Sequence, residues 1–149
     1  MKKLDIIPFE PEHVLLLGDR KEETEMRQHE DFMKWAKENH TPGTSYSGFY
    51  EGKLLGCAGV RIMWKGVGEA WAMFAPEIIM YGKEAYVYVG EYLKKIMDDN
   101  NLHRVQGHVD SEFILAIKYI ENLGFKIEGK MRKFGPTGND HYLYALVRD

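Results

Sequence analysis

Ala116-Ile117-Lys118-Tyr119-Ile120-Glu121-Asn122-Leu123-Gly124-Phe125 is the stretch on which the fold turns. Apolar residues recur through it at helical spacing, with Phe113, Ala116, Ile117 and Ile120 on one face. Gly124 can take the left-handed turn that ends a helix, and Phe125 then starts a strand directed back into the core. The segment therefore predicts a helix over Ser111 to Leu123, followed by a strand from Phe125 to Phe134.

A last strand, His141 to Arg148, follows the loop Gly135-Pro136-Thr137-Gly138-Asn139-Asp140. On the N-terminal side, His103 to Val109 alternates, with Val105 and Val109 sharing one face. Before it, Ile78, Tyr81, Ala85, Val89, Tyr92, Leu93 and Ile96 recur every three or four residues. They predict a long helix from Pro76 to about Asp98, closed by Asn100-Asn101. Three strands of a meander precede that helix: Thr44 to Tyr50, Leu54 to Trp64, and Glu69 to Ala75. Leu4 to Phe9 reads as an edge strand, because Pro8 cannot donate to a central ladder. Helices are expected over Glu10 to Arg20 and Glu22 to Asn39. The resulting order is β-α-α-β-β-β-α-β-α-β-β, an α/β chain forming one domain over residues 1–149.

Composition narrows the function. With 44% hydrophobic and 29% charged residues the chain is an ordinary globular one, and its net charge of −3 offers no basic footprint for nucleic acid. Val14 to Leu17 is the longest aliphatic run, far short of the ~20 residues that cross a bilayer. The single cysteine, Cys57, excludes a disulfide framework and suits a reducing, cytoplasmic setting. The six histidines show no metal-ligand spacing, and no zincin, nucleophile-elbow or P-loop motif occurs.

The element order resembles that of the GNAT superfamily of acyl-CoA-dependent N-acyltransferases. Ala116 to Phe125 is similar to the superfamily's "A-I-R-x-Y-E-K-L-G-F" segment. Lys126-Ile127-Glu128-Gly129-Lys130-Met131-Arg132 and Asp140-His141-Tyr142-Leu143-Tyr144-Ala145-Leu146 resemble its "EG-x-x-R … D-x-x-x-Y-A-L" ending. Gly56-Cys57-Ala58-Gly59-Val60, Gly66-Val67-Gly68-Glu69-Ala70-Trp71 and Pro76-Glu77 resemble short GNAT-like proteins common in bacteriophages. The resemblance implies a mixed, largely antiparallel sheet, splayed between its fourth and fifth strands, with helices on both faces. It also implies transfer of an acyl group, by default from acetyl-CoA, to a small-molecule or peptide amine, with no nucleic-acid or membrane partner and a homodimer in view. A second implied reading is a GNAT-fold binding or assembly module without catalysis, virion-associated in phages.

In that superfamily a turn written R/Q-x-x-G-x-G/A holds the CoA pyrophosphate on backbone N–H groups at a helix N-terminus, as helix termini hold anions generally. Alignment on Pro76-Glu77 puts Ile79, Gly82 and Glu84 at its marked positions. The implied cofactor residues are Phe74, Ala75, Gly82, Lys83, Glu84, Ala85 and Phe113, the last standing where the superfamily often has Asn. Gly82 has the alternative of a helix glycine kept for close packing. Glu84 brings a carboxylate near the phosphates, which Lys83 offsets in part. The superfamily's general-acid Tyr falls on Ile120, with Tyr119 one residue and about 100° away.

Acyl transfer to an amine needs a proton acceptor, worth about 10²–10⁴ in rate. Glu69 and Glu77, at the two ends of the third meander strand, are the first candidates, with His108 and Asp110 on the strand across the splay. Glu69 leads because Trp71 shares its strand face and gives the carboxylate an apolar neighbour. Asp110 and Ser111 also read as helix caps, and Cys57 as an inert core thiol.

Overall fold

The computed structural model of the chain describes residues 2–17 and 32–149. Seven strands form one sheet: β1 (Asp5–Pro8), β2 (Ser45–Tyr50), β3 (Lys53–Trp64), β4 (Val67–Phe74), β5 (Arg104–Asp110), β6 (Lys126–Met131) and β7 (His141–Val147). Their spatial order is β1-β2-β3-β4-β5-β7-β6. Every neighbouring pair is antiparallel except β4 and β5. These two run parallel and pair only at Val67–Arg104, Gly68–Val105 and Glu69–Gln106, so the sheet opens beyond Glu69. The expected splay between the fourth and fifth strands is there, and β1, ending in Pro8, lies at the sheet edge.

Helices cover both faces. The described α-helices are α1 (Phe32–Glu38), α2 (Gly82–Asp99) and α3 (Ile114–Asn122). Alternation along β4 turns Glu69, Trp71 and Met73 to one face and Ala70, Ala72 and Phe74 to the other. The first face packs Met73 and Cys57 against Phe9, Val14 and Ala36, from the N-terminal segment and α1. The second packs Val60 and Val105 against Ile96 and Met97 of α2, with Ile117 and Ile120 of α3 beside them.

Both long C-terminal stops follow the same backbone logic. Gly124 has φ +102°, and the amides of Gly124 and Phe125 bond the carbonyls of Glu121 and Ile120. That pair of bonds is a Schellman cap, and it swings Phe125 into the core, 4% exposed, as the sequence predicts. Asn101 ends α2 in the same way at φ +51°, with Leu102 N–H bonding the Met97 carbonyl.

Three local expectations are corrected. Glu10 to Arg20 is not an α-helix over its described part but a 3-10 turn, Pro11–Leu16, ended where Leu17 turns extended. The helix expected from Pro76 starts instead as a 3-10 turn, Pro76–Tyr81, and becomes α-helical at Gly82. The third meander strand begins at Val67 rather than Glu69, because Lys65-Gly66 alone makes the turn, with Gly66 at φ +86°. Of the helix expected over Glu22 to Asn39, residues 22–31 lie outside the described residues, and the rest is α1.

Candidate active site

The opening between β4 and β5 has two sides, and side chains of different character gather on each. On the α2/α3 side Phe74 closes β4. Its ring meets Tyr119 of α3 edge-on, with centroids 6.0 Å apart, and Tyr119 meets Tyr86 of α2 at 5.9 Å. Tyr86 Oη donates to the Asn122 carbonyl at 2.8 Å, tying α2 to α3. The Tyr119 hydroxyl is buried and has no hydrogen-bond partner among the described residues. Burial pushes its pKa well above the ordinary phenol value. Ile120, one residue on, packs against the core, while the Tyr119 ring lies against Phe74 and Tyr86.

The turn after β4 supplies the anion-binding elements. Gly82 opens the 18-residue α2, and no side chain caps that helix. Gly82 has ordinary helical angles, and a Cβ built on it would meet nothing within 4 Å, so close packing does not account for it. Lys83 is exposed beside it and Ala85 is buried beneath. Ile79 is 75% exposed and brings no charge. Glu84 Oε1 accepts from the Lys2 backbone N–H at 3.2 Å. Its own amide and that of Lys2 hold the carboxyl below the usual range. The Lys2 ammonium in turn lies 4.8 Å from the centre of the Tyr81 ring. Ala75 is buried, its N–H bonding the Leu55 carbonyl at 2.8 Å. Phe113, half-buried, precedes α3 with its N–H on the Asp110 carbonyl.

On the Trp71 side, Glu69 is half-buried at the point where the strands part, with Arg61 Nη2 donating to its Oε1 at 3.2 Å. Trp71 shares that face as expected, but its ring packs edge-on with Phe9 and Trp35, at 5.0 and 5.1 Å. Its indole N–H is buried and has no hydrogen-bond partner among the described residues. Across the opening His108 Nδ1 lies 2.9 Å from His141 Nδ1, and the Phe134 ring stands 4.6 Å from His108. Burial, and then the neighbouring His141, lower the pKa of His108, while the Glu69 charge acts the other way. Burial lowers that of His141 too, against the raising effect of Asp110.

Glu69 and His108 are thus brought together on one side, and Phe74 and Tyr119 on the other. Glu77 is not: it sits in the 3-10 turn, bonded to Lys53 Nζ at 2.7 Å, and that bond lowers its pKa. Asp110 caps the turn into α3 through the Glu112 N–H at 2.9 Å. The pairing of His108 with His141 escaped the sequence reading; the alternation of β5 and β7 is the signal that holds it, since Asp110 stands opposite His141.

No family model and no curated protein matches the chain. Solved structures do. An acetyltransferase of the GNAT family from Bacillus anthracis is similar at 21% identity and TM-score 0.72, covering 98% of this chain and 95% of that one. Ard1 from Thermoplasma volcanium matches at 12% identity and TM-score 0.80, over 98% of each chain. The ribosomal-protein-S5-alanine acetyltransferase from Vibrio fischeri matches at 16% identity and TM-score 0.70, over 100% and 95%. The chain has the fold of GNAT acetyltransferases: a seven-stranded, mostly antiparallel sheet with one parallel pair, and helices around it. No described helix is long and apolar enough to cross a membrane.

Proposed function

We propose that the protein is an N-acyltransferase that moves an acetyl group from acetyl-CoA to an amine. The observation that carries this reading is the splay itself, with a buried hydroxyl, Tyr119, that has no partner among the described residues on one side and a carboxylate, Glu69, on the other. Acetyl-CoA fits the residues present. Gly82 leaves its Cβ position empty, Lys83 supplies a cation, and the uncapped start of α2 supplies amides for the pyrophosphate.

Glu69, alone or through one water, takes the proton that the amine loses as its nitrogen bonds the acetyl carbon. The carbon–sulphur bond breaks in the same exchange and the thiol is the leaving group. Tyr119, held protonated by burial, donates a hydrogen bond to that sulphur. An ordinary thiol has a pKa of about 8.5, below that of the phenol, so the hydroxyl stabilises the thiolate without fully surrendering its proton. Arg61 keeps Glu69 in place.

A second reading, a binding or assembly module without catalysis, is supported by the uncharged Ile79 at the cofactor turn and by the Tyr86–Asn122 bond that ties the slot's two helices together. Thiol release from acetyl-CoA, followed over a panel of peptide N-termini, lysines, polyamines and amino sugars, separates the two. Acceptor-dependent release supports the transferase, and none with any amine supports the module.

A further inference from the structure

A chain of four polar side chains runs from the β6–β7 loop to the opening between β4 and β5. Asp110 Oδ2 accepts from Asn139 Nδ2 at 2.8 Å. A carboxylate only accepts, so it is the amide nitrogen of Asn139 that faces it. Thr137 Oγ1 donates to Asn139 Oδ1 at 2.9 Å on the other side, which fits the same orientation. That nitrogen also lies 3.3 Å from Nε2 of His141. A donor there makes His141 Nε2 an acceptor, so the neutral ring carries its proton on Nδ1. Nδ1 of His141 is 2.9 Å from Nδ1 of His108, and one of the two must donate. His141 is the donor, which leaves neutral His108 with its proton on Nε2.

Direction follows from the sheet. The neighbours of β5 are β7 and β4. With Nδ1 of His108 turned to His141 on β7, its Nε2 faces away from β7, on the side where β4 parts from β5. Phe134 covers the pair, 4.6 Å from His108 and 5.5 Å from His141. The lowered pKa of each ring keeps both neutral at pH 7, so the tautomers and not the charges carry the information.

We propose that Asp110, Asn139 and His141 lock His108 as an Nε2–H donor at the opening, where it recognises an oxygen next to the acceptor's amine. This rests on the acyltransferase reading for the site's purpose and narrows its substrate class. The acceptor is an amine flanked by an oxygen acceptor, such as the carbonyl of an α-amino acyl group, rather than a bare alkyl amine. A site built to bond an oxygen discriminates strongly against the analogue that lacks it, because its own donor is left unpaired. His108 touches the acceptor; His141, Asn139 and Asp110 are positioning residues.

Side-chain ¹H–¹⁵N spectra of the full chain, labelled at its six histidines, test the lock without any turnover. The expected result is Nδ1–H on His141 and Nε2–H on His108; Nδ1–H on His108 overturns it. Asn139→Leu, and separately the milder Asp110→Asn, should let both rings average between tautomers. An unchanged pattern in both variants removes these residues from the lock. Glycinamide, ethanolamine and propylamine, compared per neutral amine, then test recognition. Each oxygen-bearing amine should exceed propylamine at least tenfold in kcat/KM and move the His108 Nε2 resonance, and Asn139→Leu should shrink that ratio. Preference for glycinamide alone assigns the oxygen to a carbonyl; equal kcat/KM for all three overturns recognition. A shifted His108 resonance without turnover of any amine sinks the acyltransferase reading and leaves recognition standing. No shift with any of the three overturns recognition itself.

Discussion

Glu69 on β4 stands opposite Gln106 on β5 as the last parallel pair of the sheet, and beyond it the two strands part. A carboxylate is therefore held at the apex of the opening, on the side where Trp71, His108 and Phe134 gather. Glu69→Gln keeps the shape and removes the proton acceptor. It should lower kcat by roughly 10²-fold or more, the range of a positioned base, while acetyl-CoA affinity stays within about twofold. Steady-state kinetics beside direct titration checks this; equal turnover removes Glu69 from the chemistry.

Tyr119→Phe deletes a buried hydroxyl that has no partner among the described residues. Such a group costs about 1–3 kcal/mol when left unsatisfied, so the variant should unfold at a higher temperature than the parent. Turnover should fall about tenfold, the mark of one lost hydrogen bond to a leaving group. A drop in both stability and turnover would show that the hydroxyl has a structural partner, and its assignment to the slot would be wrong.

At the turn after β4, two neighbouring substitutions should separate. A Cβ at position 82 would meet nothing within 4 Å among the described residues, and leucine favours helix over glycine by up to about 1 kcal/mol, so in Gly82→Leu the free protein should lose no stability. CoA affinity should nevertheless fall tenfold or more, about 1.4 kcal/mol, as the side chain fills the anion's place. Glu84→Gln should leave CoA affinity nearly unchanged, because that carboxylate bonds Lys2. Titration of both variants with CoA reads the contrast, and a tightened Glu84→Gln would return Glu84 to the phosphates.

The C-terminal half of the chain could be read from its residues because local chemistry and global fold agree there. Gly124 and Phe125 form the cap and core anchor that Leu-Gly-Phe implies, and Asn101 ends α2 where Asn100-Asn101 suggests. Other features depend on contacts far apart in sequence. Pro76–Tyr81 has helical periodicity, but one turn of apolar residues fits a 3-10 and an α-helix equally. Glu84 aligns with the cofactor turn, and nothing in its neighbourhood announces the hydrogen bond it accepts from Lys2. Tyr119, out of step with the superfamily's Tyr by one residue, meets Phe74 at the end of β4, a contact between α3 and the sheet that its own neighbourhood does not announce. Histidines 33 positions apart meet only through the β5–β7 register.

Stability should depend on pH through that histidine pair. Both rings have folded pKa values below the ordinary 6.5, so the unfolded chain takes up protons first as pH falls. Their contribution is complete above about pH 6.5 and is lost as pH drops from there through the lowered folded values. The carboxylates of Glu77, Asp98, Glu128 and Asp140, also lowered, act below about pH 4.5 and leave this window clear. Thermal melts between pH 7.5 and 5 should fall in the parent and fall less steeply in His141→Gln, where only the burial of His108 remains. A parent flat across the range would contradict the burial of the pair.

Calorimetric titration of the protein with acetyl-CoA and with CoA is the most direct test that this fold takes acetyl-CoA as its donor. The expected result is one site per chain with micromolar affinity for each, weakened tenfold or more by Gly82→Leu. No heat and no competition by either compound at millimolar concentration would contradict the transferase and leave the GNAT fold serving as a binding module.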